Sequence, residues 1–515
     1  MKGLSEKFLA ALFLCIPIRG FFHISNSLKD KLTFWTAPFL FFICIIVILK
    51  IKILNMSDLK TTLRDNALLR WLVLLLGGIV IFTNYYLYDA LSPIKSILEK
   101  DLGFDSQGYG LFVSFYSFPN TFLAMAVIGG IILDKLGIRK TGLLFVSFMA
   151  IGGLITAYGA SEIYKNGGPF YDWMNSFWTK YSPELKMMSV GRFFYGLGAE
   201  TSIVVISKIL VKWFKGRNLA LAFGLKIGFG RLGTMAALNM SPLLALGEEK
   251  VGFAVWFAAI LVGIGLLIFF IYSIMDLRLD RQMEQSADLT KPDKFQFRDI
   301  LDLITNKTFI FIAILCVTFY SAVFPFLSFA ADFIHNKFGV SLALSGRISS
   351  LVPLATAIVT PLFGIFIDRK GKSASVMIFG SLILLLVHLT FGLTNFSPYL
   401  PMILLGIAFS LVPASMWPTV VKLVDESKIG TAYGLMYSIQ NLGLWAFPII
   451  AGNILDKTNP GVSDAIKAGQ NVSYDYTQTM LMFALLGLVG VIFAFLLKRI
   501  DKKEGLGIEL PLNKK

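Results

Sequence analysis

Charged side chains are scarce in this sequence: they make up 15% of its 515 residues, whereas a soluble domain usually carries about 25%. Hydrophobic residues account for 56% of the chain and aromatic residues for 14%. This balance excludes an ordinary soluble domain. It indicates a membrane protein that crosses the bilayer several times.

Cysteine is also rare. Three cysteines are scattered singly along the chain, so neither a disulfide framework nor a metal site is predicted. The sequence contains no nucleophile–base set and no phosphate-binding loop, so we expect no enzymatic activity and no cofactor. The net charge of +15 would point to nucleic acid in a soluble protein, but the basic residues collect in loops, and we expect no nucleic-acid partner.

What the chain has instead is a series of long apolar runs, twelve of which are long enough to span a bilayer as helices. They lie at residues 70–92, 108–133, 141–160, 187–211, 219–246, 251–275, 308–330, 345–367, 374–392, 398–422, 429–454 and 477–498. The sequence therefore predicts an all-α membrane protein with twelve transmembrane helices.

Residues 1–55 precede these segments and differ from them. Their two apolar runs are Phe8–Ile18, which is too short to span a bilayer, and Leu32–Leu49, which is just long enough. Two interpretations stay open. The stretch is either an extra hydrophobic helix or not part of the functional protein, whose start is then Met56.

A charged turn recurs at about half the length of the chain. GGIILDKLGIRK (Gly129–Lys140) and GIFIDRKGK (Gly364–Lys372) both end an apolar run in Gly-x-x-x-Asp, and Asp134 and Asp368 are 234 residues apart. Internal repeats of this kind are typical of secondary transporters built from two similar halves. We predict a six-helix half at 56–275, a cytoplasmic linker at 276–307, a second six-helix half at 308–498 and a cytoplasmic tail at 499–515.

Lysine and arginine are unequally shared between the two sides of the membrane. Counted with the residues that flank them, the loops on the side of the repeated turns carry 26 of them and the loops on the other side carry 10. Because basic residues concentrate in cytoplasmic loops, we predict that the repeated turns and both ends of the twelve-helix body are cytoplasmic.

The repeated turns are also candidates for a conformational latch. A carboxylate at the end of one helix can accept hydrogen bonds from the free N–H groups at the start of a neighbouring helix, in one conformation and not in the other. The predicted latch residues are Gly130, Asp134, Arg139, Asp368 and Arg369. The alternative is that the basic residues only anchor the inner face.

Two charged residues lie near the middle of the bilayer. Glu200 is about 13 residues into segment four and Arg231 about 12 residues into segment five. A charge at that depth normally faces a partner or a water-filled cavity. Either the two residues form an ion pair between their helices, or they form a polarised site in which Glu200 binds an ammonium group and Arg231 grips a carboxylate.

Several other polar residues within the apolar segments are weaker candidates. Tyr320, Trp417, Gln440 and Asn441 are predicted to line a cavity, with core packing as the alternative. Asp89 and His388 are candidates for a proton or entrance site, with an interfacial and a packing role as the alternatives. Lys208 and Lys226 lie near the cytoplasmic ends of their segments, and we expect both to snorkel towards the interface.

These motifs resemble a known family. The repeated turns resemble motif A of the major facilitator superfamily, and RFFYGLGAE (192–200) resembles its fourth-segment motif. Runs such as YYLYDA (85–90), WFKGRNLALAFGL (213–225), FYSAVFPF (319–326) and GTAYGLMYSIQNLGL (430–444) resemble the branch that contains the lysosomal dipeptide uniporters of animals. The resemblance implies a rocker-switch transporter of short peptides, with Glu200 and Arg231 at the positions assigned to the amino and carboxyl ends of the peptide.

The departures from this branch refine the expectation. The N-terminal extension has no counterpart and no dileucine-type sorting signal is visible, so we expect a prokaryotic plasma membrane. Segment one lacks the Glu-x-x-Glu-Arg run of proton-coupled peptide transporters, which favours uniport or weak proton linkage. We therefore predict a transporter of small zwitterions, dipeptides first, that functions as a monomer. A carrier of a small organic anion or another metabolite is the alternative, and a receptor or scaffold is a third.

Overall fold

The computed structural model describes residues 63–214, 218–246, 250–283, 297–424 and 428–511. The extension at 1–55 lies outside these residues. Every regular element within the described ranges is a helix, as the apolar runs predict.

The first half begins with a 3₁₀ turn at Leu63–Asp65, and a second such turn lies at Ser92–Ile94. Its helices are α1 (Ala67–Asp89), α2 (Lys95–Leu102), α3 (Ser106–Ser114), α4 (Phe118–Phe122), α5 (Met125–Gly159), α6 (Glu162–Lys165), α7 (Tyr171–Ser176), α8 (Pro183–Phe214), α9 (Leu219–Leu246) and α10 (Val251–Met283). The predicted linker at 276–307 contains the end of α10 and a short helix, α11 (Phe297–Thr305).

The second half repeats the pattern of long helices. Its helices are α12 (Lys307–Phe338), α13 (Leu342–Ser349), α14 (Leu351–Lys370), α15 (Ser373–Leu393), α16 (Tyr399–Leu423), α17 (Ile429–Thr458), α18 (Val462–Lys467) and α19 (Thr477–Glu504).

Ten helical stretches among the described residues are long and apolar enough to cross a bilayer. Two further predicted segments complete the twelve. Segment two of the twelve runs into segment three within α5. Gly137 interrupts the helix between them with φ 76° and ψ 172°, a conformation that only glycine adopts readily. The eleventh is α17, which has 30 residues.

The second segment is not the continuous helix that the sequence predicts. It consists of α3, α4 and the first part of α5, with a break around Tyr116 and another at Ala124, whose φ is 48°. Pro119 lies in the first turn of α4. Because proline has no backbone N–H, it cannot continue the hydrogen-bond ladder from the turn before it, and a helix starts anew at this point.

The first and seventh segments extend further than predicted. The chain turns after α1 and continues as α2 to Leu102, so Lys95 and Glu99, which the sequence places in a loop, are helical and buried. α12 continues to Phe338 instead of ending near residue 330, and it carries Asp332. The extra turns are too polar to count as apolar runs, and they meet each other at the same end of the bundle.

Helices within each half pack backbone against backbone. A Cβ atom on Gly196 of α8 would lie 2.0 Å from the Tyr116 carbonyl oxygen. A Cβ atom on Gly406, its repeat counterpart in α16, would lie 2.6 Å from the Val352 carbonyl oxygen. Such approaches exclude any side chain. The repeat therefore preserves the same glycine contact in both halves.

Candidate substrate-binding site

A cavity of about 320 Å³ lies between the two halves. Its lining includes five of the six predicted substrate-binding residues, namely Glu200, Arg231, Tyr320, Trp417 and Gln440. Asn441 does not line it. The Asn441 side chain is buried, and its Nδ2 donates to the Tyr437 carbonyl oxygen one turn earlier at 3.0 Å, so the expectation of cavity lining is wrong at this position.

Glu200 reaches the cavity from α8. Its Oε1 accepts a hydrogen bond of 2.8 Å from the Tyr116 hydroxyl. Tyr116 is buried and packs edge-to-face on Tyr88, with ring centroids 4.7 Å apart. Within the described part of the chain, no lysine or arginine lies within ion-pair distance of Glu200.

Arg231 faces the same cavity from α9. Its guanidinium stacks over the ring of Phe409, on α16 of the opposite half, with 4.7 Å between the guanidinium carbon and the ring centre. Its Nε is buried and has no hydrogen-bond partner. Among the described residues the Glu200–Arg231 ion pair, one of the two sequence interpretations, does not form.

The second half contributes an aromatic wall. The Trp417 ring stacks on Tyr437 at 4.6 Å, and its Nε1 donates to the Tyr320 hydroxyl at 3.0 Å. Gln440 lies beside them, with its Oε1 3.9 Å from the sulfur of Cys316. These contacts hold flat apolar surfaces in place and leave amide and hydroxyl groups next to them.

Sequence reasoning missed most of the aromatic lining. The additional rings in the cavity wall are Tyr85, Tyr88, Tyr116, Tyr195, Phe324, Phe409 and Tyr437. Tyr85 and Tyr88 had a readable signal, because residues three apart share a helix face. The rings of the second half had none, since apolar residues in a membrane helix face lipid, core or cavity alike.

Asp89 and His388 do not line the cavity. Asp89 is buried and accepts a hydrogen bond of 2.7 Å from the Thr234 hydroxyl, which ties α1 to α9. His388 is buried against Phe326 and Phe483, with its Nδ1 2.9 Å from the Leu384 carbonyl oxygen. The packing role expected as the alternative for His388 agrees with these contacts.

Lys226 differs from its expected position. It lines the cavity instead of pointing to the interface, and its Nζ donates to the Ser207 hydroxyl at 2.8 Å. Lys208 does lie at the surface, where it pairs with Asp134. Of the charged residues that line the cavity, two are therefore cations and one is an anion.

We call the end of the bundle with the repeated turns the motif end. Here Asp134 pairs with Lys208 at 2.5 Å, and both side chains are about half exposed. Arg139 pairs with Asp280 at 3.0 Å, also within the first half. The latch hypothesis expects Asp134 to contact the start of a neighbouring helix in one conformation. In the conformation described here Asp134 contacts a lysine instead.

The other latch candidates have few contacts. Nothing lies within 4 Å of a Cβ atom built on Gly130. Asp368 and Arg369 are exposed and form no ion pair with the described residues. The backbone of this second motif does meet the tail of the chain, since the Lys372 N–H donates to the Glu509 carbonyl oxygen at 2.9 Å.

We call the opposite end of the bundle the far end, and it is held by buried charges. Lys95 of α2 lies 3.5 Å from Glu99 and 3.2 Å from Asp332 of the opposite half, and all three side chains are at most 2% exposed. The Tyr474 hydroxyl donates to Glu99 at 2.5 Å, and the Tyr476 hydroxyl donates to Asp332. We call these five residues the far-end cluster. The sequence offered one signal for it, the i,i+4 spacing of Lys95 and Glu99.

Backbone groups add to the far-end contacts. Asp456 of α17 accepts from the N–H groups of Ser106 and Gln107, at 3.1 and 2.7 Å, at the start of α3 in the other half. The Ser92 hydroxyl donates to the Leu327 carbonyl oxygen at 2.8 Å. In the described ranges, the hydrogen bonds and ion pairs that join the two halves all lie at this end. The structure is thus a state closed at the far end.

Two similar six-helix halves enclose a polar cavity, and the hydrogen bonds and ion pairs that join them within the described ranges lie at one end. This arrangement defines a secondary transporter. The chain belongs to the Major Facilitator Superfamily, which it matches over residues 74–448.

Relatives and solved structures agree with this assignment. The chain is similar to the lysosomal dipeptide transporter MFSD1 of Homo sapiens, with 32% identity over 397 residues, which cover 75% of this chain and 80% of the relative. It is 31% identical to the MFSD1 protein of Danio rerio over 402 residues, which cover 76% and 82%.

Two solved structures share the fold. The nucleoside transporter NupG matches with a TM-score of 0.59 and 18% identity over 84% of this chain and 99% of that one. A bacterial homolog of the human lysosomal transporter Spinster matches with a TM-score of 0.60 and 14% identity over 84% and 98%.

Proposed function

We propose that this protein moves small zwitterions, dipeptides first, across the membrane by alternating access. Glu200 binds the ammonium group and Arg231 binds the carboxylate. The observation that carries the proposal is that both side chains face one cavity and neither has a partner of opposite charge among the described residues. A charge withdrawn from water without a partner is destabilising, and a zwitterion supplies both missing partners at once.

The size and walls of the cavity suit such a ligand. Its volume of about 320 Å³ is at the small end of ligand pockets, which run from about 300 to 1,000 Å³. Trp417 and Tyr320 offer flat surfaces for side chains, and Gln440 offers an amide for the peptide bond. The vertebrate relatives named as dipeptide transporters are consistent with this assignment.

A carrier of small organic anions is the second candidate. It is favoured by the two cations, Lys226 and Arg231, that line the cavity together with a single carboxylate. Glu200 separates the two functions, because an anion carrier gains nothing from a carboxylate at its site.

The transport cycle follows from the far-end contacts. Release of Asp332 from Lys95 and of Asp456 from the start of α3 opens the far end, while the motif end closes around Asp134, Arg139 and the motif of the second half. With the motif end cytoplasmic, as the distribution of basic residues predicts, the described state faces the cytoplasm. We place the protein in a prokaryotic plasma membrane as a monomer, with both ends of the twelve-helix body cytoplasmic and residues 276–307 linking the halves.

The test uses purified protein and three peptides: Ala-Ala, N-acetyl-Ala-Ala and Ala-Ala amide. Arg231→Lys keeps the charge but removes the planar fork, so it weakens Ala-Ala binding about ten- to a hundredfold and changes binding of the amide little. Glu200→Gln gives the mirror result and spares the acetylated peptide. Ligand-induced thermal stabilisation ranks the affinities.

The opposite outcome is equally specific. If both variants lose stability, ignore which end is blocked, and regain stability when combined, the two residues serve only to hold the helices, and the zwitterion site is wrong. Organic acids that bind as well as dipeptides, irrespective of Glu200, would favour the anion carrier.

A further inference from the structure

The cavity carries one positive charge more than a simple dipeptide needs. Among the residues that the structure describes, its charged lining consists of Glu200, Lys226 and Arg231. If Glu200 takes the ammonium group and Arg231 the carboxylate, Lys226 is left without an anion. In the described part of the chain no carboxylate lies within ion-pair distance of Lys226, whose hydrogen-bond acceptor is the neutral Ser207 hydroxyl at 2.8 Å.

Two lysines on the adjacent helix α8 differ from Lys226 because each forms an ion pair with a carboxylate of the protein. Lys208, on α8 near it, pairs with Asp134 at 2.5 Å, and Lys212 pairs with Asp276 at 2.7 Å. Lys226 instead extends into the cavity and is only partly exposed there. An ammonium held in a partly dehydrated cavity attracts an anion strongly, because the surroundings screen it less than bulk water does.

We propose that Lys226 is a specificity-determining residue that binds a carboxylate on the side chain of the transported peptide. The inference rests on the proposed dipeptide function and names the favoured substrates as peptides containing Asp or Glu. Their charges, one positive and two negative, are the complement of those in the cavity.

The position of Lys226 along the helices selects which residue of the dipeptide is acidic. Lys226 precedes Arg231 by five residues on α9, which is about 7.5 Å along the helix axis. Its partner Ser207 follows Glu200 by seven residues on α8, which is about 10.5 Å. Lys226 therefore lies closer in height to the carboxylate end than to the ammonium end, and the acidic side chain belongs to the C-terminal residue.

The experiment compares four dipeptides that differ in one feature at a time. Ala-Glu and Ala-Gln have side chains of nearly equal shape and differ in charge, and Glu-Ala and Gln-Ala move that difference to the first residue. Affinity for the purified full-length protein is measured by competition with a labelled dipeptide. For the wild type we expect Ala-Glu to bind about tenfold or more tightly than Ala-Gln, the effect of one charge-assisted contact, and Glu-Ala to gain less over Gln-Ala.

Variants then assign the effect to Lys226. Lys226→Gln is expected to reduce the Ala-Glu to Ala-Gln ratio to about one, and Lys226→Arg to retain most of it, since the charge is kept. Lys502→Gln, which removes an exposed lysine at the end of α19, is the matched control and leaves the ratio unchanged.

The outcomes separate this inference from the proposed function. A ratio near one in the wild type, or a ratio that Lys226→Gln leaves intact, overturns the role of Lys226 while the end-blocked peptides still test Glu200 and Arg231. The wild-type ratio needs no variant, so a Lys226 variant that fails to fold does not block the test. If dicarboxylates that lack an amino group bind as tightly as Ala-Glu, the dipeptide function itself fails.

Discussion

Both ends of this transporter carry ion pairs between lysine and carboxylate side chains, but the pairs differ greatly in how far they are buried. At the far end, Lys95 contacts two carboxylates, one of them from the other half, and all are buried. At the motif end, Lys208 and Asp134 belong to one half and are 43% and 50% exposed. Exposed pairs contribute about 0–1 kcal/mol, whereas losing one partner of a buried pair costs about 3–5 kcal/mol. The buried far-end charges therefore hold the closed far end much more strongly than the exposed Lys208–Asp134 pair holds the motif end.

The kind of contact that the sequence predicts for Asp134 occurs at the other end. A carboxylate does accept from the free N–H groups at the start of a helix in the opposite half, but the carboxylate is Asp456 and the helix is α3. For Asp134 the latch stays a prediction, because the hypothesis requires the contact in one conformation only. In a two-state transporter both ends need a contact that can be broken, and one structure displays only one of them closed.

The largest effect is expected from Lys95→Met. It leaves Glu99 and Asp332 buried without a cation, a loss of about 3–5 kcal/mol in the closed state that opening of the far end relieves by admitting water. Maleimide labelling of a cysteine introduced by Ser328→Cys, beside the far-end contacts, should therefore accelerate strongly. Lys208→Met is the matched control, with an effect below about 1 kcal/mol. Equal acceleration in both variants would remove the distinction between the ends.

Asp456→Asn should have the next largest effect. Ser106 and Gln107 donate to different oxygens of Asp456, and the amide replaces one of these oxygens by an NH2 donor and removes the charge. Loss of one charge-assisted hydrogen bond corresponds to about 1.5–3 kcal/mol. The same labelling assay measures it, with Asp464→Asn in the short helix α18 as the control. Unchanged labelling would show that the start of α3 is not part of the closure.

Asp134→Asn tests the motif end. If Asp134 acts when that end closes, the variant slows peptide flux into proteoliposomes strongly while peptide affinity stays within a few-fold, because Asp134 is remote from the cavity. Its exposed pair with Lys208 contributes little in the described state. Parallel loss of affinity and flux would place Asp134 in the binding site and not in closure.

The smallest effect is expected from Asp475, an exposed residue between Tyr474 and Tyr476. The hydroxyl and amide of Thr477 donate to it at 2.6 and 2.9 Å and hold its pKa below the ordinary value. A lowered pKa means stability that is present above the unfolded pKa of about 3.9 and is lost as the pH falls through the folded pKa. Asp475→Ala should thus lower the unfolding temperature slightly at neutral pH, and the difference from the wild type should shrink as the pH falls below the unfolded pKa. A larger shift would assign Asp475 to the far-end cluster.

The fold and part of the site were predictable because they rest on local pattern. Apolar length located the helices, the repeated turns located the halves, and the cost of a charge at mid-depth singled out Glu200 and Arg231. The far-end cluster was not predictable. Lys95 and Asp332 interrupt the apolar runs and resemble loop residues, and they are buried only because helices 237 positions apart in sequence meet there.

Lys226 was misplaced for a related reason. Counting residues along α9 gives its depth, but depth does not say whether a flexible side chain turns outward to the interface or inward to a cavity. That choice depends on the surface of α8, where Ser207 provides the acceptor. The missed cavity aromatics follow the same rule, since their direction is set by the opposite half.

The break in the second transmembrane segment makes Tyr116 a point where ligand and backbone meet. Its hydroxyl is bound to Glu200, its carbonyl oxygen lies against Gly196, and it sits in the interruption between α3 and α4. An ammonium group that takes the place of this hydroxyl at Glu200 competes with the tyrosine for the carboxylate. Thermodynamic linkage then requires reciprocity: whatever factor ligand binding imposes on the Tyr116–Glu200 hydrogen bond, that hydrogen bond imposes on ligand affinity.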